Sequence, residues 1–152
     1  DEGHAIAIHS YSHDYKYLYP NRTASPDRIV EEFVKTRDLM RETLGETFDT
    51  KVFRFPGGAM SWKNIPAAQE ALMENGVVDV DWNSLSGDSE PKNRRPGSAQ
   101  AMGEFVFTTL DQNNHTNVAV VLMHDLKEVT PEYLGRVIDG FIERGYSFGI
   151  LE

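Results

Sequence analysis

Short apolar runs alternate with segments of helical periodicity along the whole chain. Ala5-Ile6-Ala7-Ile8 reads as a buried strand. Ser25-Pro26 supplies an N-cap and a proline at the first helical position. In the helix that follows, Ile29, Phe33, Met40 and Leu44 share one face, and Gly45 is a natural stop. Lys51 to Phe55 predicts a second strand, broken by Pro56-Gly57-Gly58. A helix from about Pro66 to Asn75 closes at Gly76, and Val77 to Trp82 predicts a third strand. The polar stretch Asn83 to Gly97 reads as a long loop. Ser98 caps a helix reaching about Gln112, and Val118 to Met123 has the unbroken apolar character of a central parallel strand. Thr130-Pro131-Glu132 opens the last helix, with Leu134, Val137, Ile138 and Phe141 expected inward. Gly145 ends it, and Tyr146 to Leu151 predicts a fifth strand. Strand and helix alternate throughout, which argues an α/β fold on a parallel sheet. No linker interrupts the pattern, so residues 1–152 read as a single domain.

Composition narrows the chemistry. With 24 acidic against 15 basic residues the net charge is −9, which lacks the positive footprint that phosphate backbones attract and argues against nucleic acid as a partner. There is no cysteine, so disulfides, zinc fingers, iron–sulfur clusters and thiol catalysis are excluded, and any metal must be held by His, Asp or Glu. No apolar stretch is long enough to span a membrane. The opening Asp1-Glu2-Gly3-His4 lacks the basic and apolar regions of a secretory signal. Two sequons occur, at Asn21 and Asn114. No G-x-x-x-x-G-K-[ST] motif is present, which argues against a nucleotide-binding domain.

The reactive residues fall at one edge of the predicted sheet. His9 and His13 follow the first strand, Arg54 and the glycine turn end the second, Asp81, Trp82 and Asp88 end or follow the third, and His124 and Asp125 follow the fourth. Open sheets and barrels place their active sites at such C-terminal strand ends. His115 precedes the fourth strand and belongs to the opposite face. The spacing of His9 and His13 can bring two imidazoles to one ion, although two solvated loop histidines are the plainer alternative and a catalytic zinc needs a third ligand. Arg54 is either a surface charge or the partner of a carboxylate in the cleft. Gly57 and Gly58 form a simple turn or admit a backbone N–H to a developing oxyanion. Trp82 is core or a ligand platform. His124 ends an apolar run and needs a polar partner, with Asp88 first, and Asp81 and Asp125 as the other candidates.

These residues together resemble the polysaccharide deacetylase family, carbohydrate esterase family 4 with its NodB homology domain. His9-Ser10-Tyr11-Ser12-His13 matches the H-[ST]-x-x-H metal motif. Arg54-Phe55-Pro56-Gly57-Gly58 resembles the Arg-x-Pro motif, Asp81 to Asp88 resembles the fourth motif, and Leu122-Met123-His124 matches the closing Leu-x-His. The family's Asp-Asp pair has no match here. Gly57 stands where many members have Tyr, and Ser89 where many have a second Trp.

The resemblance implies that the chain is the C-terminal portion of such a domain, five βα-type strands of a distorted (β/α)7 TIM-like barrel. It implies that the N-terminal part of the same domain is a partner supplying a third metal ligand and a catalytic base. It further implies that His9 and His13 bind a divalent metal, Zn2+ above all with Co2+, Ni2+ or Mn2+ as alternatives, and that Arg54 holds the base. Gly57 would meet the oxyanion through its N–H. His124 would be the acid, kept charged and oriented by Asp88. Leu122 would line the acetyl pocket and Trp82 the sugar cleft. The implied reaction removes the N-acetyl group of an amino sugar in a polysaccharide, at the cell surface or wall. Peptidoglycan is the first candidate substrate, through GlcNAc or MurNAc, with chitin-like glycans behind it. The rival reading is an inactive carbohydrate-binding or scaffold relative of the same fold.

Overall fold

The computed structural model describes residues 3–113 and 117–151, and the chain divides into two compact units, 1–81 with 150–152, and 82–149.

The first unit is built on a parallel ladder between β1 (Val52–Phe53) and β2 (Val78–Asp79), with Val52 opposite Val78 and Phe53 opposite Asp79. Ile8 joins on the other side of β1: its N–H donates to Val52 O at 3.0 Å, and Arg54 N–H donates to Ile8 O at 2.9 Å. The short helix α1 (Tyr15–Leu18), the long helix α2 (Pro26–Leu44) and α3 (Ile65–Glu74) accompany this ladder. α2 buries Ile29 and Phe33, and α3 buries Ile65, Ala68 and Leu72. They share one core with Ile8, Leu18, Phe53, Phe55 and Val77. Phe53 is its hinge pin. Its ring meets Phe55 edge-on at 5.2 Å and Phe33 at 6.3 Å, the geometry that aligns positive ring edges with negative faces.

The second unit repeats the scheme with β3 (Ser84–Leu85) parallel to β4 (Val121–Leu122), and with α4 (Ala99–Asn113) and α5 (Thr130–Glu143) beside them. Met102, Val106 and Leu110 of α4 meet Tyr133, Val137 and Phe141 of α5. Ser84 is buried because its hydroxyl donates to Val106 O at 2.6 Å, which satisfies a polar group inside the core. Ser98 caps α4, its Oγ accepting from Ala101 N–H at 3.1 Å.

Several predicted elements differ from this. Of the five predicted strands, the first is reduced to a bridge at Ile8 and three are shortened to the two-residue segments β1, β2 and β4, and burial follows the number of ladder neighbours. β1, paired on both sides, is wholly buried, whereas Val78 of β2 is exposed and β4 only half-buried. Ala5 to Ala7 are exposed, and only Ile8 of that run is buried. Val118 is likewise exposed, and no ladder forms over Tyr146 to Leu151 among the described residues. The loop expected at Asn83 to Gly97 contains β3. Leu44 lies beyond the core-facing stretch of α2 and is exposed. Leu134 and Ile138 are also exposed: α5 turns the Tyr133, Val137 and Phe141 stripe inward, one residue around from the face expected. The sequon at Asn114 and the placement of His115 fall outside the described residues.

Phe53→Ala removes the ring that joins α2 to the ladder. The expected loss is about 3–5 kcal/mol of stability, measured by urea denaturation. A loss under about 1 kcal/mol would mean that the core closes without it.

Candidate active site

The reactive residues divide between the two units. In the first unit they start with the loop after Ile8. Ser10 and His13 hold left-handed backbone, at φ 66° and 54°, unusual for residues with a Cβ. The loop is fixed from below by Glu32, a carboxylate only 4% exposed on the buried face of α2. It accepts the Tyr11 and Ser12 N–H groups at 3.1 Å each and the Ser12 hydroxyl as well. The loop then closes on itself: Ser10 Oγ accepts His13 N–H at 3.0 Å, and Ser12 Oγ accepts Asp14 N–H at 3.0 Å. Asp14 in turn caps α1 through Lys16 and Tyr17 N–H.

This frame brings the His9 and His13 rings to 5.1 Å, edge to face. His9 Nδ1 lies 2.7 Å from Arg54 O. A carbonyl only accepts, so Nδ1 carries the proton and Nε2 keeps its lone pair, the arrangement that orients a metal-ligating imidazole. Two imidazole donors fit part of the set a zinc-like ion takes, and among the described residues no cluster of three or more His, Asp or Glu completes it.

Arg54 and the glycine turn sit beside this pair. Burial pushes the Arg54 guanidinium below its usual value, and the charges of Asp81 and Tyr15 oppose that push. Asp81 thus lies close enough to Arg54 to act on its charge, and its Oδ2 also accepts Ala59 N–H at 2.9 Å. Gly57 and Gly58 both have φ 79°. Gly58 N–H donates to Phe55 O, Ser61 Oγ donates to Gly57 O, and Trp62 Nε1 donates to Pro56 O. A Cβ on Gly57 would lie 3.1 Å from Trp62 Cζ2 and 3.2 Å from the Tyr15 hydroxyl. A tyrosine there would therefore meet both strain and crowding, which explains the glycine.

In the second unit Asp88 is the centre, a carboxylate 3% exposed behind the Gly87 turn. Oδ2 accepts His124 N–H at 2.7 Å, and Oδ1 lies 2.9 Å from His124 Nδ1. Ser89 Oγ donates to Asp88 Oδ1 at 3.1 Å and stands 2.7 Å from His124 Nδ1, so the imidazole N–H is shared between carboxylate and hydroxyl. Burial alone would raise the Asp88 carboxyl, but the side-chain and backbone hydrogen bonds from His124 outweigh it and hold the group below its usual value. Thr130 Oγ1 donates to His124 O at 2.7 Å and ties the residue to α5. Trp82 and Leu122 belong to this unit and are half-buried, while Asp125 is exposed. His4 lies elsewhere, lining a cavity with Phe48, Lys51 and Leu151.

Glu32 and Tyr15 were not singled out by the sequence reading. The signal for Glu32 was a charged residue between Ile29 and Phe33 on the stripe that must be buried. Tyr15 had no such mark.

Glu32→Ala is expected to raise hydrogen exchange at the Tyr11 and Ser12 amides about tenfold or more, the loss of a charge-assisted bond. Unchanged exchange would show that the loop holds its shape alone. The Asp88 carboxyl titrates lower in the folded chain than in the unfolded one, so its contribution is present above about pH 4 and is lost as pH falls through the folded value. The urea midpoint should therefore drop between pH 5 and pH 3, and Asp88→Asn should flatten that drop. Equal slopes in the two proteins would contradict the assignment.

Comparison with known proteins adds an independent line. A family model for polysaccharide deacetylases matches residues 1–76, half of the chain. The Bacillus subtilis protein YheN, whose name places it among polysaccharide deacetylases, is 32% identical over 99% of this chain and 50% of its own length. The peptidoglycan-N-acetylglucosamine deacetylase of Bacillus cereus is 28% identical over 97% of this chain and 50% of its own. The chain thus spans about half the length of these curated relatives. The solved structure of a Streptococcus mutans CE4 esterase is 40% identical, superposes with a TM-score of 0.94, and is matched over 99% of this chain and 64% of that one.

Proposed function

The chain belongs to the polysaccharide deacetylase family, and from that premise we propose that it takes part in hydrolysing the N-acetyl group of an amino sugar in peptidoglycan. The observation that carries this reading is the His9 and His13 pair, with rings 5.1 Å apart, inside the residues the family model matches. Likeness to the CE4 esterase, 64% of whose chain is matched, supports an α/β domain of that kind, and in this reading a third metal ligand and a base are supplied from outside residues 1–152. The name of the Bacillus cereus relative, which is tied to peptidoglycan, supports action at the cell surface or wall.

In this reading His9 and His13 hold a divalent ion, zinc first, with cobalt, nickel or manganese as alternatives. When bound, that ion supplies Lewis acidity and an activated water. Arg54 orients the base, and its burial favours a partnered carboxylate over open solvent. The Gly57 N–H faces the carbonyl oxygen as it gains charge. The bond that forms joins a water oxygen to the acetyl carbon, and the bond that breaks is the one to nitrogen. His124, carrying a proton on each ring nitrogen, delivers the one on Nε2 to the leaving amine while Asp88 and Ser89 hold its Nδ1–H. Leu122 lines the acetyl methyl, and Trp82 the sugar. The products are acetate and a free amino sugar.

The test compares the longer protein containing these residues with residues 1–152 alone, on N-acetylated peptidoglycan and chitin oligomers with added zinc. The longer protein should release acetate. His124→Ala should lower kcat about 10²–10⁴-fold while bound zinc is unchanged, and His13→Ala should lose zinc. Residues 1–152 alone should hold zinc weakly and release none. Glycan binding by the longer protein without acetate release would favour an inactive carbohydrate-binding relative. Full activity from residues 1–152 would mean that ligand and base lie within them.

A further inference from the structure

Beside the histidine pair, the first unit has an open groove of about 460 Å³, lined by Tyr15, Lys16, Tyr19, Asn21, Arg22 and Trp62 among its residues. Its floor is aromatic. Trp62 stacks on Tyr19 with centroids 4.0 Å apart and planes 6° from parallel, and Tyr15 meets Trp62 edge-on at 5.0 Å. Tyr15 also touches the site: its ring lies 5.1 Å from that of His13, and its hydroxyl stands beside Gly57. Tyr15 is 42% exposed, so the aromatic wall is open to a ligand on that side.

The rim is cationic. Lys16 and Arg22 both line the groove, and no Asp or Glu does, in a chain that carries nine more acids than bases. Arg22 is aimed by its backbone. Asn21 and Arg22 adopt φ 52° and 62° in succession, a costly conformation for two residues with side chains. The Arg22 guanidinium then lies 5.5 Å from the Trp62 centroid, with one nitrogen donating to Ser61 O at 2.8 Å. Aromatic faces pack on the apolar faces of a pyranose ring, and a planar guanidinium matches a carboxylate.

We propose that this groove is a subsite for a carboxylate-bearing sugar of the glycan strand, flanking the sugar that is deacetylated. Tyr15 and Trp62 hold the ring, and Arg22 with Lys16 reads the carboxylate. The proposal rests on the deacetylase reading for the nature of the ligand and goes further in naming which glycan is preferred. A strand carrying carboxylates, such as one containing peptide-free N-acetylmuramic acid, gains the ion pair. A neutral N-acetylglucosamine oligomer of the same length gains only the stacking.

The experiment measures binding of the longer protein to a muramic-acid-containing tetrasaccharide and to chitotetraose, with acetate release followed on the same samples. The anionic ligand should bind about three- to fivefold more tightly, the range of a well-oriented exposed ion pair. Arg22→Gly keeps the left-handed backbone without strain, and Lys16→Gln leaves the helix intact. Each should reduce the ratio of anionic to neutral affinity, and the pair should abolish it. Raising salt to 0.5 M should have the same effect. Equal affinity of the unaltered protein for both ligands, or a preference that survives in the double variant, would overturn the proposal. A preference that follows Arg22 and Lys16 without any acetate release would support the groove and overturn the deacetylase reading instead.

Discussion

A single buried carboxylate underlies the histidine loop of the first unit. Glu32 lies on the face of α2 that turns inward, where an unpartnered charge would be prohibitively costly. It is tolerated because Tyr11, Ser12 and the Ser12 hydroxyl surround it with donors. The bonds work in both directions. The loop neutralises the cost of the carboxylate, and the carboxylate fixes a loop that contains two left-handed residues. The angular relation of His9 to His13 is therefore set by the rotational position of α2, which is itself set by Ile29 and Phe33 in the core.

His9 and His124 are held by different chemistry. His9 gives its Nδ1–H to a neutral backbone carbonyl. That fixes a ring without surrounding it with negative charge, as suits a neutral donor. His124 is held by an ionised carboxylate at two points and by a hydroxyl at a third. Ser89 belongs to this arrangement. Its small hydroxyl joins the Asp88 and His124 contact where a large ring would present only bulk.

Much of this was legible in the sequence. The alternation of elements, the glycine stops and the placing of reactive residues just past the strands all follow from local pattern. The partnership of His124 with Asp88 was legible from the need of a polar ring at a strand end. Strand extent was not. Apolar runs such as 118–123 record what a sheet can bury when flanked on both sides, and burial here tracks the neighbours each strand has. The inward face of α5 was missed by one residue: Tyr133, absent from the expected inward set, is fully buried, and Leu134 and Ile138 are exposed. Asp81 was considered in the sequence only as a partner of His124, and its charge acting on Arg54 emerged with the fold. Tyr15 was illegible because its role comes from a helix that brings it against His13 and Gly57, far from any motif.

The left-handed backbone at Ser10 and His13 bears on how this loop can vary. Each position must satisfy a conformational filter before any chemical one. At position 13 valine, isoleucine and threonine are disfavoured by their branched Cβ, whereas the motif admits threonine at position 10. Glycine and asparagine pass the filter, but neither brings an imidazole to position 13. Divergence in the loop is thereby channelled into Tyr11, whose φ is ordinary and whose side chain is exposed against Lys35. A library that randomises this loop evenly would spend most of its members on chains that cannot take up the turn. One that varies position 11 and leaves its neighbours in place would explore specificity with the fold intact.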